Sequence, residues 1–267
     1  MTASDYDGLL LGGDGCFYDP ASVRLELVPR LGSAGTPSSA LMFYVNAALP
    51  DQRQAGTTGV NNSLRPLHAR TGIDIVTVFF GNQGRTDSFS EISPFAETSR
   101  AVDTLVRLVL DRVGRGEETY IRSGSAGPLV VVEALRRIRL QLLRQSRRIS
   151  DVDARMALIK VETFGSVAKW FPPGPRYVHY VNQRDVVPFL FGVLSPTASP
   201  GPNAVIAWFD DRVPDVKLRE LGLTIPSLNR YIASAHNSPA YIAHWYPFEK
   251  IYQQRRSRLP VSLVRAP

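Results

Sequence analysis

The chain has 267 residues, a formal net charge of +7, and 44% hydrophobic and 21% charged residues. A chain of this size and composition can bury a large apolar core without metal or disulfide, which excludes an intrinsically disordered protein. Because Cys16 is the one cysteine, a scaffold held by internal disulfides is excluded too. Residues 1–8 lack the basic start and apolar run of a signal peptide, and no run approaches ~18 uninterrupted apolar residues. We therefore expect no transmembrane segment and take a cytoplasmic location as the default, with signal-independent export left open.

The excess of positive charge comes mostly from arginine. The densest run consists of Arg136, Arg137, Arg139, Arg144, Arg147 and Arg148. No aromatic residues are interleaved with these arginines, and the chain carries neither a helix-turn-helix nor an RNA-binding signature. Cations near the end of a helix also complement its dipole. We therefore interpret the run as a solvated helix face and expect no nucleic-acid partner, although a binder of nucleic acid or another anionic surface stays a third hypothesis.

The first third of the chain predicts strands and one helix. Apolar and charged residues alternate over Val23–Leu27, which predicts a half-buried strand. Two nearly continuous apolar runs, Ala40–Ala47 and Ile73–Phe80, are typical of strands buried on both faces. The segment Asn61–Arg70 between them has a helical pattern, and Gly32–Ser39 is a Gly/Ser/Pro connector.

The remainder alternates between helices and strands. Helices are predicted over Ser99–Val113 and through the apolar stripe from Val131 to Leu142; strands are predicted at Thr119–Ile121, Leu158–Thr163, Tyr177–Val181 and Ala204–Phe209, and a loop at Phe191–Asn203. This alternation predicts an α/β fold, a three-layer α/β/α sandwich with a mostly parallel sheet, and a site at the carboxyl ends of its strands. We expect one domain over 1–267, with an N-terminal extension (1–39) that includes an edge strand and a basic tail (255–267).

The turn Ser123-Gly124-Ser125-Ala126-Gly127 lies between a predicted strand and a predicted helix. A nucleophile elbow places a serine on such a turn and needs small residues two positions before and after it, where the backbone doubles back. Ser123 and Gly127 meet that demand, although Ser123 replaces the first glycine of the usual G-x-S-x-G pattern. The helix that follows would direct its free N–H groups at developing negative charge. A Gly/Ser loop without chemistry is the alternative.

Two later motifs give a resemblance to a known family. Thr163-Phe164-Gly165-Ser166 follows one predicted strand, and the sequence from Val181 to Pro188 has the form V-N-x-x-D-x-V-P after the next. Together they resemble the class 3 (fungal-type) lipases of the α/β-hydrolase fold. The chain is more similar still to a group of uncharacterised bacterial hydrolase-like proteins with a YVNG strand, which Tyr44-Val45-Asn46-Ala47 matches with alanine in place of glycine. The resemblance covers about residues 41–241.

The resemblance implies a catalytic triad in the order of α/β-hydrolases. By that resemblance Ser125 is the nucleophile, Asp185 the acid and His236 the base. His236 would take the serine proton and return it to the leaving group, while Asp185 would hold the imidazole tautomer. The backbone N–H of Ala126 would form one half of the oxyanion hole, and that of Ala47 or Ala48 the other.

Other histidines have alternative interpretations. His244 is the rival base, but His244-Trp245-Tyr246 is more typical of an aromatic packing cluster. His179 lies in the middle of a predicted strand and is expected to be a packed structural residue. The sequence also departs from the family: Gly124 stands where a histidine is usual, and Arg122 where an apolar residue is usual. Arg122 could contact an anionic substrate or disfavour a charged imidazole.

These observations predict a serine hydrolase of carboxylic esters, similar to lipases and esterases, that acts through an acyl-enzyme. The alternative is a catalytically inactive protein of the hydrolase fold with a binding role, which the altered turn and Arg122 favour. We expect no cofactor and no metal, because four scattered histidines and one cysteine give no zinc spacing. The expected partner is a small-molecule ester or lipid, with peripheral membrane contact and the oligomeric state left open. The apolar segment Phe189–Pro202 could form part of a substrate cleft or a lid, or could pack in the core.

Overall fold

A mostly parallel β-sheet forms the centre of the structure, a computed structural model that describes residues 3–32, 40–47, 60–81, 98–146, 148–210 and 238–254. The strands are β1 Leu10–Leu11, β2 Phe17–Tyr18, β3 Leu41–Val45, β4 Asp74–Val78, β5 Thr119–Gly124, β6 Ile159–Phe164, β7 Arg176–Asn182 and β8 Val205–Phe209. Their order is β2-β1-β4-β3-β5-β6-β7-β8. The strands from β3 to β8 are parallel, and β1 is antiparallel to both of its neighbours. The carboxyl ends of six strands therefore lie along one edge.

Helices accompany the sheet between most of its strands. They are α1 Val60–Thr71, α2 Arg100–Gly114, α3 Gly127–Gln145, α4 Ile149–Met156, α5 Val187–Leu190, α6 Ser238–Ala243 and α7 Phe248–Gln254. Short 3-10 helices occupy Ala3–Tyr6 and Leu25–Leu27. Within the described ranges, no helix combines the length and the apolar character needed to cross a bilayer. The predicted α/β class with a mostly parallel sheet is confirmed.

Two apolar clusters pack on opposite faces of the sheet. Alternate residues of one strand point to opposite faces, so Phe43 joins the cluster with α2, α3 and α4, while Met42 joins the cluster with α1, α6 and α7. These two clusters, on either side of one sheet, agree with a three-layer arrangement. The start of α2 is fixed by its cap, because the Ser99 side chain accepts a hydrogen bond from the Ala101 N–H.

One predicted strand is wrong, and several short elements were not predicted. Val23–Leu27 forms no strand; the structure has a 3-10 helix at Leu25–Leu27, with Leu27 70% exposed. Five alternating residues resemble a half-buried strand, but none of the strands in the described ranges pairs with them. Strands β1 and β2 have only two residues each, too few to show a period. The connector Gly32–Ser39 lies mostly, and the basic tail 255–267 wholly, outside the described residues.

The arginine-rich run lies largely on α3, as predicted. Arg136 and Arg137 bind the carboxylate of Glu133, one turn before them, at 2.7 and 2.6 Å. Arg139 binds Asp153 of α4 at 2.8 Å. Arg137 also binds Asp103 of α2 at 2.8 Å. Arg137 and Arg139 therefore join α3 to neighbouring helices through partly exposed ion pairs, while Arg136 pairs within α3.

Candidate active site

Ser125 lies in the tight turn between β5 and α3 with φ of +54°. For a residue with a side chain this left-handed conformation costs roughly 1–2 kcal/mol, so the surrounding structure must hold it. The backbone N–H of Ser125 donates to the Phe164 carbonyl at 2.9 Å, and its carbonyl accepts from the Val167 N–H at 3.1 Å. The end of β6 and the turn after it thus hold both the N–H and the carbonyl of Ser125. These contacts connect the T-F-G-S motif directly to the predicted elbow.

The small residues around Ser125 serve different purposes. A Cβ atom on Gly127 would lie 2.7 Å from the carbonyl oxygens of Val45 and Asn46, closer than real Cβ atoms approach backbone. A Cβ atom on Gly124 would meet nothing nearer than 3.6 Å. Ser123 is fully buried, and its hydroxyl finds no hydrogen-bond partner among the described residues. The size restriction therefore falls mainly on Gly127, where α3 begins against the end of β3.

Asp185 is a fully buried carboxylate in the turn after β7. The turn is closed by the Asp185 N–H, which donates to the Asn182 carbonyl at 3.0 Å. One carboxylate oxygen accepts from the Val187 N–H at 3.0 Å, and the other accepts from the Tyr241 hydroxyl at 2.5 Å. Burial, together with the neighbouring Asp185, raises the pKa of Tyr241, so this phenol stays protonated as a donor. The carboxylate is therefore oriented by contacts from two separate segments.

Ser125 and Asp185 follow the carboxyl ends of β5 and β7, which flank β6. Adjacent strands are roughly 4.8 Å apart, so these two strand ends are separated by about 10 Å. A group of the size of an imidazole would be needed to connect the serine with the carboxylate. The predicted base His236 lies outside the described residues, so the predicted triad remains a prediction.

The end of β3 is held to β4 by the buried side chain of Asn46. Its amide donates to the carbonyls of Ala47 and Phe80 at 2.8 and 3.0 Å, and its oxygen accepts from the Phe80 N–H at 2.7 Å. Ala47, a predicted oxyanion donor, therefore follows a fixed strand end. Ala126, the other predicted donor, immediately precedes α3 and is 1% exposed. Ala48 lies outside the described residues.

The described histidines have structural contacts. His179 is fully buried; its Nε2–H donates to the Pro200 carbonyl at 2.8 Å, and its Nδ1 accepts from the Thr163 hydroxyl at 2.7 Å. Burial lowers the pKa of His179 to about 4. The predicted structural role of His179 is therefore confirmed. The His244 ring stacks on Phe209 at 4.5 Å, as expected of an aromatic packing cluster.

Arg122, which the sequence left unexplained, is fully buried on β5. Its Nε lies 3.6 Å from a carboxylate oxygen of Glu162 on β6, too far for a hydrogen bond. Both oxygens of Glu162 accept from the indole N–H of Trp245 at 3.1 Å. The guanidinium carbon lies 4.0 Å from the centre of the Phe164 ring. Burial lowers the pKa of Arg122 and raises that of Glu162, while the attraction between them acts in the opposite direction on each.

An exposed apolar surface follows Asp185. Phe189, Leu190 and Phe191 are 40%, 61% and 41% exposed, at and just after α5. The ring of Phe189 lies 5.7 Å from that of Trp208, which is 37% exposed. For the segment Phe189–Pro202 the sequence left open a cleft or lid and packing in the core. Packing in the core is wrong for these three residues. They form an apolar rim beside the edge that carries Asp185.

Sequence reasoning missed two residues that organise this edge. Tyr241 was not among the predicted site residues, and its bond to Asp185 joins segments 56 positions apart. Asn46 was noted only as part of the YVNA motif. Its position at the end of a buried apolar strand could have indicated its role, because a buried side-chain amide there needs hydrogen-bond partners.

No group of three or more potential metal-ligating side chains converges anywhere in the described part of the chain. No known family model matches the chain, and a search of the curated proteins finds no similar sequence. The similarity to class 3 lipases therefore depends on the motifs quoted above.

Proposed function

We propose that the protein is a serine-dependent hydrolase of carboxylic esters. The observation that carries the proposal is the conformation of Ser125: a left-handed, partly exposed serine on a strand-turn-helix connection, held by two backbone hydrogen bonds from the next turn. A glycine would adopt this conformation without strain. A strained serine at the carboxyl edge of a parallel sheet is the arrangement that a nucleophile elbow requires.

The role of each residue follows from that chemistry. The Ser125 hydroxyl would attack the ester carbonyl, and an imidazole between Ser125 and Asp185, assigned to His236, would accept the hydroxyl proton and return it to the leaving alcohol. The N–H groups of Ala126 and Ala47 or Ala48 would stabilise the oxyanion, with one such donor worth roughly 3 kcal/mol. Water, activated by the same imidazole, would then attack the acyl-enzyme and release the carboxylic acid, and the proton would return to Ser125.

Labelling with a fluorophosphonate probe tests the nucleophile. We expect wild type to be labelled and Ser125→Ala to be unlabelled. Ser123→Ala is the matched control, because the Ser123 hydroxyl is buried and no group in the described ranges bonds to it, so its loss should leave labelling intact. A folded wild type that reacts no faster than Ser125→Ala would refute the proposal.

The apolar rim supports an ester with an acyl chain as the substrate. Phe189 and Phe191 lie close after Asp185 along the chain and expose 40% and 41% of their surface. Fully burying one such side chain against an acyl chain is worth roughly 1.5–3 kcal/mol. We expect Phe189→Ser and Phe191→Ser to reduce kcat/KM for an octanoyl ester about tenfold while changing that for an acetyl ester little. Equal losses on both esters would argue against contact with the acyl chain.

A catalytically inactive protein with a binding role is the second candidate, and the buried charge of Arg122 favours it. This fixed positive charge lies three residues from Ser125 and would oppose the formation of an imidazolium nearby. Under this alternative, wild type stays unlabelled and Ser125→Ala keeps the biological role.

A further inference from the structure

Arg122 presents hydrogen-bond donors that no group among the described residues accepts. Its Nε, Nη1 and Nη2 are all buried, and none has a hydrogen-bond partner within the described part of the chain. A buried guanidinium without acceptors costs several kcal/mol, more than the faces of Phe164 and Trp245, at 4.0 and 5.5 Å, can return. Glu162 compensates only in part, because it lies 3.6 Å away and directs both oxygens to Trp245.

A small cavity lies beside this side chain. Arg122, Tyr44, Gly124 and Phe164 line it together with apolar side chains of α1 and α6, and its volume is about 20 Å³. A cavity needs roughly 10–15 Å³ to admit one water-sized particle. The space is therefore sufficient for one small particle, such as a monatomic ion.

The walls of the cavity distinguish between the particles that fit. A buried water needs two to four polar partners, including acceptors for its hydrogens. Here the donors are guanidinium N–H groups, Tyr44 is the other polar side chain of a mostly apolar wall, and the Glu162 carboxylate is bound to Trp245. A monatomic anion accepts hydrogen bonds from such donors, and the positive charge of the guanidinium offsets the cost of removing the anion from water.

We propose that Arg122 forms a buried binding site for a monatomic halide anion, with chloride as the abundant physiological ligand. The anion would accept hydrogen bonds from the guanidinium inside this cavity. The site is independent of the proposed esterase activity, since it requires neither Ser125 nor a catalytic base. Because Gly124 lines the cavity and directly precedes Ser125, occupancy would also stabilise the start of the turn.

Glu162 supplies the most specific consequence of this proposal. Its carboxylate competes electrostatically with an anion for the same guanidinium. Glu162→Gln keeps an acceptor for Trp245 but removes the negative charge, so we expect chloride to bind about tenfold more tightly. A merely structural ion pair would show no gain in chloride affinity on this substitution.

Two measurements test the site. Bromide scatters anomalously, so crystals grown in sodium bromide should show an anomalous peak at the Arg122 guanidinium. In solution, stabilisation by a ligand follows its concentration relative to Kd. Sodium chloride should therefore raise the Tm above that in sodium gluconate of equal ionic strength, with saturation. Arg122→Met combined with Glu162→Gln removes both buried charges together, so that neither is left unpaired, and should abolish the peak and the chloride-specific rise in Tm.

Arg176→Gln is the matched control, because Arg176 belongs to the same sheet but already binds the carboxylates of Glu118 and Glu249. It should keep the full chloride response. No bromide peak at Arg122, or a chloride response that survives in the double variant, would overturn the proposal.

Discussion

The close approach of Gly127 to the end of β3 makes a quantitative prediction about the start of α3. In Gly127→Ala, the new Cβ would lie 2.7 Å from the carbonyl oxygens of Val45 and Asn46. Ordinary contact begins near 3.4 Å, so helix and strand must separate by about 0.7 Å. Neither side yields easily, because Val45 belongs to a central parallel strand and Asn46 is bonded to the Phe80 backbone.

Overpacking of this kind costs typically 1–3 kcal/mol, and the higher helix propensity of alanine returns at most about 1 kcal/mol. We therefore expect Gly127→Ala to lower the free energy of unfolding by about 2 kcal/mol and the Tm by about 5 °C. Urea unfolding followed by tryptophan fluorescence measures the first quantity. Gly124→Ala is the matched control: its Cβ would meet nothing closer than 3.6 Å, and it should cost less than about 1 kcal/mol. If Gly127→Ala is as stable as Gly124→Ala, the packing argument for the turn is wrong.

Three further predictions concern the same sheet edge and its core. Tyr241→Phe removes the 2.5 Å hydrogen bond to the buried Asp185 carboxylate and should cost about 1–3 kcal/mol in urea unfolding; no loss would mean that another donor replaces it. Burial lowers the pKa of His179 to about 4, so the unfolded chain, with a pKa near 6.5, takes up the proton first. The contribution of neutral His179 to the free energy of unfolding should be fully present above pH 6.5. Between pH 6.5 and pH 4 the free energy of unfolding of wild type should fall by about 3 kcal/mol more than that of His179→Gln; parallel pH profiles of the two proteins would contradict this. Ser125→Gly relieves the positive φ and should raise the free energy of unfolding by about 1 kcal/mol while abolishing probe labelling; a loss of stability would mean that Ser125 is not strained.

The strands of the parallel sheet were predictable because they are buried on both faces. Ala40–Ala47 and Ile73–Phe80 show this as nearly continuous apolar runs, and each contains the strand in the structure. The predicted strand Tyr177–Val181 lies inside β7, which is one residue longer at each end. Helix α2 was equally clear, since its apolar residues recur at helical spacing and Ser99 caps its first turn. In these segments local pattern and tertiary burial agree.

The elements that escaped prediction are those whose structure depends on distant partners. Strands β1 and β2 are two residues long and exist because β1 pairs with β4, more than sixty positions away along the chain. Val23–Leu27 carries the alternation of a strand, but no strand of the described part of the chain pairs with it, and Leu25–Leu27 forms a 3-10 helix instead. Alternation alone therefore does not specify a strand without a neighbouring edge.

The candidate site likewise has parts that local sequence predicts and parts that depend on distant partners. The turn around Ser125 and the acid Asp185 could be located from spacing, because motif and strand end coincide in the sequence. The hydrogen bonds from Tyr241 to Asp185 and from Asn46 to Phe80 could not be predicted, because each joins segments that only folding brings together. Arg122 was noticed as unusual, but its burial became visible only with its neighbours on β6.

Three unfavourable features are concentrated in and just below the carboxyl edge of the sheet: the positive φ of Ser125, the buried charge of Asp185 and the buried guanidinium of Arg122. Glycine at position 125 would adopt the positive φ without strain. Apolar residues in place of the buried polar groups together with their partners would avoid the cost of burying charge. Such local conflicts are expected at functional sites and are not favoured by folding alone. Their concentration in one small region, while most of the described core is apolar, favours chemistry or ligand binding here over a purely structural role for these residues.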